Sequence, residues 1–572
     1  MGSDIKDLLI VGAGPAGIAA SMYASKLGLS HSVVERRDGL HKFPQAHVVK
    51  TRSLEILRRF GVEDTVHEVG SESEEQRFVT WCESLAGREY GRVDLYGRKG
   101  PSERFLSVSP SYPANTPQNK LEPVLYNCAT DLAPDAFRFG TECLSVRSEE
   151  DAAVATLKNE HGEFEERAKF IIAADGATSG MRQTLGIDFL GPRTLANFCA
   201  VHLKSDFTDL IAHRPSVLCW VISPDASGVF IVHEVRSTQV FMFAYDPETT
   251  DRSEFTEEYC RNKVATALGN DHPFEITHIA QWTMSAQVAE QYRSGRVMLV
   301  GDAAHRFPPT GGLGLNTGLQ DVNNLLWKLK FVIDGRSPIE LLDTYFEECR
   351  PIAKRNCDRS ADNHERMLRA EEVIGVTDDK TAFQNSIDDL FSDNGRERRR
   401  QLHLALQAQM RHFAYMDVEM APEYSDGAFG TSLDVELPPL VEKEGYLQRL
   451  HPGAGIPHFD LGDGLSSLDF VQFDRFTLFV SDNFKEPWSA IVDRDVRLRD
   501  LINVRGVPQL REYKWNLLSN MEDIAALVRP DGHVGWLFDA RKHATGEALS
   551  SALSRILMSE TVSQRASAVS LA

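Results

Sequence analysis

Residues 296–329, RVMLVGDAAHRFPPTGGLGLNTGLQDVNNLLWKL, constrain the fold more than any other stretch of the chain. The apolar run Val297 to Val300 has the composition of a buried strand and stops at Gly301 and Asp302, and an apolar helical pattern begins after Asn316. Between them Pro308 and Pro309 stiffen the backbone, while Gly311, Gly312 and Gly314 leave it bare enough for a flat molecule to lie against. The helix that follows aims free N–H groups into the same space, which favours negative charge by roughly 0.3–1 kcal/mol when exposed and up to about 2 when partly buried. A simple strand-to-helix turn needs one or two glycines and no acid at the strand end. The stretch therefore reads as a ligand loop.

The N-terminus repeats the arrangement. Asp7 to Val11 reads as a strand, GAGPAG follows with Gly12, Gly14 and Gly17, a helical pattern runs to about Leu29, and a second strand, Ser32 to Val34, ends at Glu35. This is a dinucleotide fingerprint in its required frame of strand, glycine turn, helix, strand and acid. Gly12 permits the tight turn, Gly14 lets a pyrophosphate approach, Gly17 lets helix and strand pack closely, and Glu35 accepts from a ribose hydroxyl. Arg36 and Arg37 follow, as nucleotide contacts or as solvated surface. A third apolar strand, Phe170 to Ala174, ends at Asp175 and Gly176, with Arg182 shortly after. Ligands of open parallel sheets sit beyond the carboxyl ends of the strands, so the loops at Gly12, Asp175 and Asp302 are expected to meet at one site. Phe43 to Phe60 reads as a loop entering an amphipathic helix, with Arg52 free to touch a ligand or to pair with Glu55. Gln118 precedes another helix that begins near Asn119.

A chain of 572 residues, 42% hydrophobic, should form two to four packed domains. The formal charge of −21 repels phosphate backbones and anionic lipid, which argues against nucleic acid and membrane as partners. No apolar run reaches 18 residues, and Asp4, Lys6 and Asp7 stand where a signal peptide needs an apolar core, so a soluble cytoplasmic protein is expected. The eight cysteines show no CxxC and no zinc spacing, so reduced thiols and no metal site are expected. From about Ala200 to Trp282 the pattern turns to alternating β segments at 217–222, 229–233 and 240–245, which should form a mostly antiparallel sheet. Trp220, Phe241, Phe243 and Tyr245 are candidates for an apolar pocket there, with ordinary core as the alternative for each. Residues 338–435 read as charged helices, in which RERRR at 396–400 is a solvated face. Proline and glycine mark a boundary around Val435 to Gly455, and strands are expected at 476–480 and 534–538.

GAGPAG with Glu35, AADGATSGMR at 173–182 and GDAAHRFPPTGGLGLNTGLQD at 301–321 together resemble the motifs of the single-component flavoprotein aromatic hydroxylases. QAHVVKTRSLEILR and PQNKLEPVL look most like the longer branch of chlorophenol and polyketide hydroxylases, and RPDGHVGW at 529–536 resembles its thioredoxin-like C-terminal domain. The resemblance implies an α/β chain: a discontinuous Rossmann-type FAD-binding domain (1–190 and 283–365), an inserted, mostly antiparallel β substrate domain (191–282), a helical segment (366–437) and a thioredoxin-like domain (438–572). The last has no cysteine for dithiol chemistry and is expected to support packing or a homodimer.

The resemblance also implies non-covalent FAD. Its adenosine would lie at Glu35 and Arg36, its pyrophosphate near Gly14 and Arg52, its ribityl chain at Gly301 and Asp302, with Gln118 as a further contact. The ring would lie along Pro308 to Asn316, where N–H groups near Gly314, Leu315 and Asn316 stabilise the charge of the reduced flavin. Pro308 and Pro309 would line its reactive edge, and Asp175 and Gly176 would serve a transient visit of NADPH or NADH. The implied reaction is hydroxylation of a phenolic or polycyclic aromatic substrate by O2 through a flavin C4a-hydroperoxide, which asks the protein to exclude water and place the ring. His47, Tyr112 and His233 are candidates for the phenolic proton. His305 is read as a loop-stabilising residue. The alternatives are Baeyer–Villiger or epoxidation chemistry on the same motifs, and a non-catalytic flavin-binding scaffold.

Overall fold

The structure, a computed structural model, describes residues 5–72, 74–97, 100–413, 416–420, 423–431, 448–507 and 523–559. Its first sheet places Lys6–Val11 between Gly162–Ala173 and His31–Val34, with Val297–Leu299 and Phe137–Arg138 outside them, all parallel. Helices cover such a sheet on both faces, which is why LLIV and FIIA carry no polar alternation; Leu8, Leu9, Ile10, Ile171 and Ile172 are wholly buried. The strand register sets where the loops emerge. Val11 stands opposite Ala173, and Ala173 opposite Leu299, so three strands end level and the loops at Gly12, Asp175 and Gly301 leave the same edge.

A second sheet runs Glu275–Met284, Ala196–Lys204, Thr238–Tyr245, Gly228–Glu234, Ser216–Val221, Phe78–Cys82 and Glu89–Asp94 in that order. Neighbours are antiparallel except Phe78–Cys82 beside Ser216–Val221. Two of its strands come from residues 78–94, so a substrate domain confined to 191–282 is too narrow; FVTWC, lacking polar alternation, gave no period-2 signal. A single helix, Asp343–Ile374, crosses the division expected at residue 365. The helices Lys380–Phe391 and Arg396–Gln407 follow. RERRR forms the solvated face expected, with Arg396, Glu397, Arg399 and Arg400 exposed, while the half-buried Arg398 donates to Val373 O (3.0 Å) and Arg399 to Leu390 O (2.5 Å) at neighbouring helix ends. The C-terminal sheet orders Gly430–Thr431, Val534–Asp539, Ile524–Val528, Phe476–Val480 and Ile502–Gly506, including both strands expected there. The boundary expected from Val435 lies, as far as residue 447, outside the described residues. Among the described residues no helix is long and apolar enough to cross a membrane, and no group of side chains is arranged to hold a metal ion.

Buried charge joins the C-terminal sheet to the ligand-loop helix Gly314–Ile333. Glu348 accepts from Lys328 Nζ (2.9 Å), from both Nη atoms of Arg529 (2.7 Å each) and from the Ala428 N–H (2.8 Å). Arg529 also pairs with Asp531, whose backbone carbonyl accepts from Arg52 and from Asn323 Nδ2 (2.9 Å each). Lys328, Glu348, Arg529 and Asp531 have at most 1% exposure, and two cations match two anions. Burial alone would raise the pKa of Glu348, but Arg529 and Lys328 bring it down to about 2.

Replacing Arg529 by Met should strand two buried carboxylates against one ammonium and cost about 3–5 kcal/mol in urea denaturation; a loss below about 1 kcal/mol would contradict the network's role. Because the folded pKa of Glu348 lies below its ordinary 4.5, its contribution to stability is present above that pH and should fade as pH falls toward about 2.

Candidate functional site

At the first strand end, Gly12 has φ +106°, and a Cβ there would stand 2.3 Å from the Ala174 carbonyl oxygen. A Cβ on Gly17 would stand 1.9 Å from Gly12 O. Gly14 differs: nothing lies within 4 Å of the position its Cβ would take, and it caps the helix Pro15–Lys26 without a side chain. The helix start thus opens on empty space, which suits an anion. Glu35, 6% exposed, accepts the Ala13 N–H (2.8 Å) and Arg37 Nε (2.9 Å). Burial raises its pKa, but Arg37 and Ala13 more than offset this and keep it ionised. Arg37 is therefore the arginine folded onto the acid, whereas Arg36, the residue expected at the nucleotide, is exposed.

The second and third loops meet this edge. Asp175 accepts the Met181 N–H at Oδ2 (3.2 Å), while its Oδ1 is buried with no partner among the described residues. Gly176 beside it takes φ +81°. Burial raises the Asp175 pKa. Asp302 is open to the cleft, yet protein encloses it closely enough that desolvation raises its pKa despite His305 and Arg306 nearby. Asp321 holds the loop in shape: its Oδ2 accepts the Gly301 N–H (3.0 Å) and meets His305 Nε2 (2.8 Å), and both side chains are buried. His305 also stacks on Phe307 at 4.7 Å between centroids, the structural part expected of it. Asp321 was not singled out from the sequence, although an acid inside an apolar helix pattern is a signal. Pro308 is buried, Pro309 is exposed, and Gly311 and Gly312 take φ +107° and +63°.

The helix Gly314–Ile333 begins with no side-chain cap, so among the described residues no side chain claims the first-turn N–H groups at Gly314, Leu315 and Asn316. The Asn316 side chain is committed elsewhere. Its Oδ1 accepts from Lys50 N (2.8 Å) and Ser53 Oγ (2.7 Å), and its Nδ2 donates to Val48 O (2.9 Å) and Gly312 O (2.7 Å). Gln118 starts the helix Gln118–Leu132 and donates from Nε2 to Glu122 Oε1 (2.7 Å). Arg52 is corrected: its guanidinium binds Glu55 Oε2 (2.8 Å) and Asp531 O (2.9 Å) in the buried network, so its charge is already neutralised and a pyrophosphate contact does not follow.

The sheet's register sorts the substrate candidates. Cys219, Phe230, Phe241 and Val201 are cross-strand partners, and with Phe243 and Tyr245 they form the core that the helix Glu257–Leu268 closes. Phe241, Phe243 and Tyr245 are therefore core residues, not a pocket lining. The opposite face carries Trp220, Val229, Met242 and Ala200 in one row and Leu218, Ile231, Val240 and His202 in the next. Trp220, Leu218, Ile231 and Met242 are half-buried, Trp220 and Leu218 against the cluster that contains Phe383, Ile387, Leu402 and Leu406 of the following helices. Aromatic type alone mixes the two faces; the cross-strand register groups Leu218, Ile231 and Met242 with Trp220. His233 shares this face. It is 1% exposed, its Nδ1 has no partner among the described residues, and its ring lies 5.2 Å from that of His47. Burial, with His47 and His202 adding to it, lowers the His233 pKa well below the ordinary value. His47 Nδ1 faces Asn115 Oδ1 at 2.7 Å and must donate to it, which leaves Nε2 to accept. Tyr112 is corrected too: it packs 4.4 Å from His67 in a separate cleft lined by Arg58, Glu63 and Asp64 and by no strand of either sheet.

A model for the FAD binding domain matches residues 6–360, and one for the C-terminal region of aromatic-ring hydroxylases matches residues 450–559. The chain is 31% identical to a 2,4-dichlorophenol 6-monooxygenase of Delftia acidovorans, over 96% of this chain and 98% of that protein. It is also 31% identical to a tetracenomycin A2 monooxygenase-dioxygenase of Streptomyces glaucescens, over 97% and 98%. Among solved structures, the flavin-dependent monooxygenase PieE in complex with FAD and substrate superposes with a TM-score of 0.88 at 29% identity, covering 97% of this chain and 99% of that one.

The glycines allow a test that needs no ligand. In cofactor-free protein, Gly17→Ser should lower stability by about 2 kcal/mol or more, on the order expected for a backbone clash, whereas Gly14→Ser should change it by less than about 0.5 kcal/mol, because serine suits a helix start and meets open space. Equal losses in urea denaturation would contradict the assigned roles.

Proposed function

The chain belongs to the FAD-dependent aromatic-ring hydroxylases, and on that footing we propose that it hydroxylates a neutral phenolic or polycyclic aromatic compound with O2 and a nicotinamide dinucleotide. One observation carries this reading: three strands end level beside a sheet whose facing side is apolar and incompletely covered. The donor set suits FAD, with open space at Gly14, an ionised Glu35, a carboxyl at Asp302 and an uncapped helix start at Gly314 to Asn316. When bound, FAD supplies the redox chemistry, taking electrons from the nicotinamide and spending them on O2.

The protein's own contribution is placement, water exclusion and proton handling. Gly12, Gly14 and Glu35 would hold the adenosine and pyrophosphate end, and Gly301 and Asp302 the middle. Pro308, Pro309, Gly311, Gly312 and the N–H groups of Gly314, Leu315 and Asn316 would border the ring. Asp175 and Gly176, half-buried beside them, are proposed for the nicotinamide visit. The face carrying Ile231 and Met242, with Leu218 and Trp220 at its helix-covered end, would press an aromatic substrate against this edge and keep water away. His233, held neutral by burial, would accept from the substrate hydroxyl and pass the proton toward the free Nε2 of His47. The dichlorophenol and tetracenomycin substrates in the names of the relatives support this range of ring sizes. The five-stranded C-terminal sheet with its helices supports a thioredoxin-like domain in a packing role, and its edge strand Gly430–Thr431 precedes the start expected at residue 438.

The test is dinucleotide consumption by purified protein across phenols, polycyclic aromatics and ketones, with product masses recorded. A phenol that accelerates oxidation and gains one oxygen supports the proposal. Acceleration by ketones alone would replace it with Baeyer–Villiger chemistry, and no acceleration would favour a scaffold. With an active phenol in hand, His233→Gln should lower kcat about 100-fold below the substrate's phenolic pKa and recover as pH rises above it, because the substrate then arrives deprotonated. A pH-independent loss would remove His233 from the proton path.

A further inference from the structure

Two buried histidines share the apolar facing side of the second sheet. His202 is 7% exposed and His233 1%, and the Nδ1 of each has no partner among the described residues. His31 shows the ordinary arrangement, with Ser21 Oγ 2.8 Å from one ring nitrogen and Leu29 O 3.1 Å from the other. The register fixes where the two stand. His202 pairs with Val240, and Val240 with Ile231, so His202 and Ile231 lie in one row with a strand between them, and His233 follows Ile231 by two residues on the same face. At about 4.8 Å per strand and about 3.3 Å per residue, the two histidine backbones stand about 12 Å apart. Val240, with the half-buried Ile231 and Met242, makes the floor around them apolar.

Ring contacts hold His202 in place. Phe43, from the loop that follows His31–Val34, lies 5.4 Å from its centroid and stacks on His278 at 4.3 Å, and His278 itself lies 5.5 Å from His202. Phe43 and the exposed His278 thus wall the ring off at the edge of the sheet and leave Nδ1 uncommitted. Burial first, then His278, lowers the His202 pKa to about 4, so the imidazole is neutral near pH 7, and burial keeps His233 neutral as well. A neutral imidazole offers one N–H and one acceptor nitrogen, which suits a hydroxyl or a carbonyl oxygen and gives a carboxylate no countercharge. Buried nitrogens without partners cost stability, and a ligand that brings oxygen to them recovers that cost.

We propose that His202 is a specificity-determining residue and that the substrate is an aromatic compound carrying two oxygens, a hydroxyl addressed by His233 and a second hydroxyl or carbonyl oxygen addressed by His202. The assignment rests on the reading of this sheet face as the substrate site. Both rings rise from the same face, so two hydrogen bonds of about 2.8 Å taken from a separation of about 12 Å leave about 6 Å between the oxygens. Para-related oxygens on one ring, or oxygens on two fused rings, span that gap. A monophenol satisfies one imidazole and leaves the other buried and unmet, which is how a polar site rejects a close analogue.

The test is anaerobic calorimetric binding of matched pairs, phenol with hydroquinone and 1-naphthol with 1,5-dihydroxynaphthalene, to FAD-loaded wild type, His202→Leu and His202→Gln without dinucleotide. Wild type should bind a dihydric compound at least about 10-fold more tightly than its monohydric partner, as expected for one added hydrogen bond in a buried site. That preference should fall below about two-fold in His202→Leu, while His202→Gln, whose amide still donates and accepts, should keep most of it. Equal affinities within both pairs in the wild type, or an unchanged preference in His202→Leu, would overturn the assignment, as would failure of all four compounds to bind. Turnover separates this inference from the activity it rests on. Dihydric compounds bound with the stated preference but never oxygenated when dinucleotide and O2 are added would leave the subsite standing and remove the hydroxylase reading. Oxygenation of both members of a pair that bind with equal Kd would keep the hydroxylase reading and overturn the subsite.

Discussion

The Asn316 side chain holds the two halves of the site together. Four hydrogen bonds tie one amide to Val48, Lys50, Ser53 and Gly312, so the start of the ligand-loop helix is fixed to the segment that carries His47. That segment reaches the second sheet, where His47 meets His233. The proposed cofactor edge and the proposed substrate face, built by residues hundreds of positions apart, thus keep one spacing. An amide suits this task because it donates and accepts from a single planar group, and a buried amide left with unmet bonds would cost about 1–3 kcal/mol for each.

Around that joint, buried acids are held by specific partners. Asp321 fixes the Gly301 turn and His305, and the Glu348–Arg529 network anchors the far end of the same helix to the C-terminal sheet. The helix whose start faces the ligand space is therefore held at both ends. Arg52 belongs to this support, which explains why an arginine beside a nucleotide fold spends its charge on Glu55.

The cofactor half of the molecule was legible because its signals are local. Glycines with a forced φ or a forbidden Cβ, such as Gly12 and Gly17, stand in a strand–turn–helix frame that a few consecutive residues reveal. The level strand ends followed from the general habit of parallel sheets. The substrate half was less legible because its information is in register. Phe241 and Trp220 lie on opposite faces, and only cross-strand pairing with Phe230 on one side and Val229 on the other separates them. The strands at 78–94 escaped notice because their pairing partner, Ser216–Val221, is distant in sequence. Arg37 and Arg36 differ by one position, and only the fold shows which one turns back onto Glu35. Likewise Glu55 was visible as a partner for Arg52, but Asp531, 479 residues away, was not.

The most direct measurement is the FAD released by acid from purified wild-type protein and from Asp302→Ala, each checked for intact secondary structure by circular dichroism. If the level strand ends form one cofactor cleft, the wild type should release about one FAD per chain and the variant most of it lost, with the fold unchanged. Full FAD content in the variant, or none in the wild type, would contradict that arrangement.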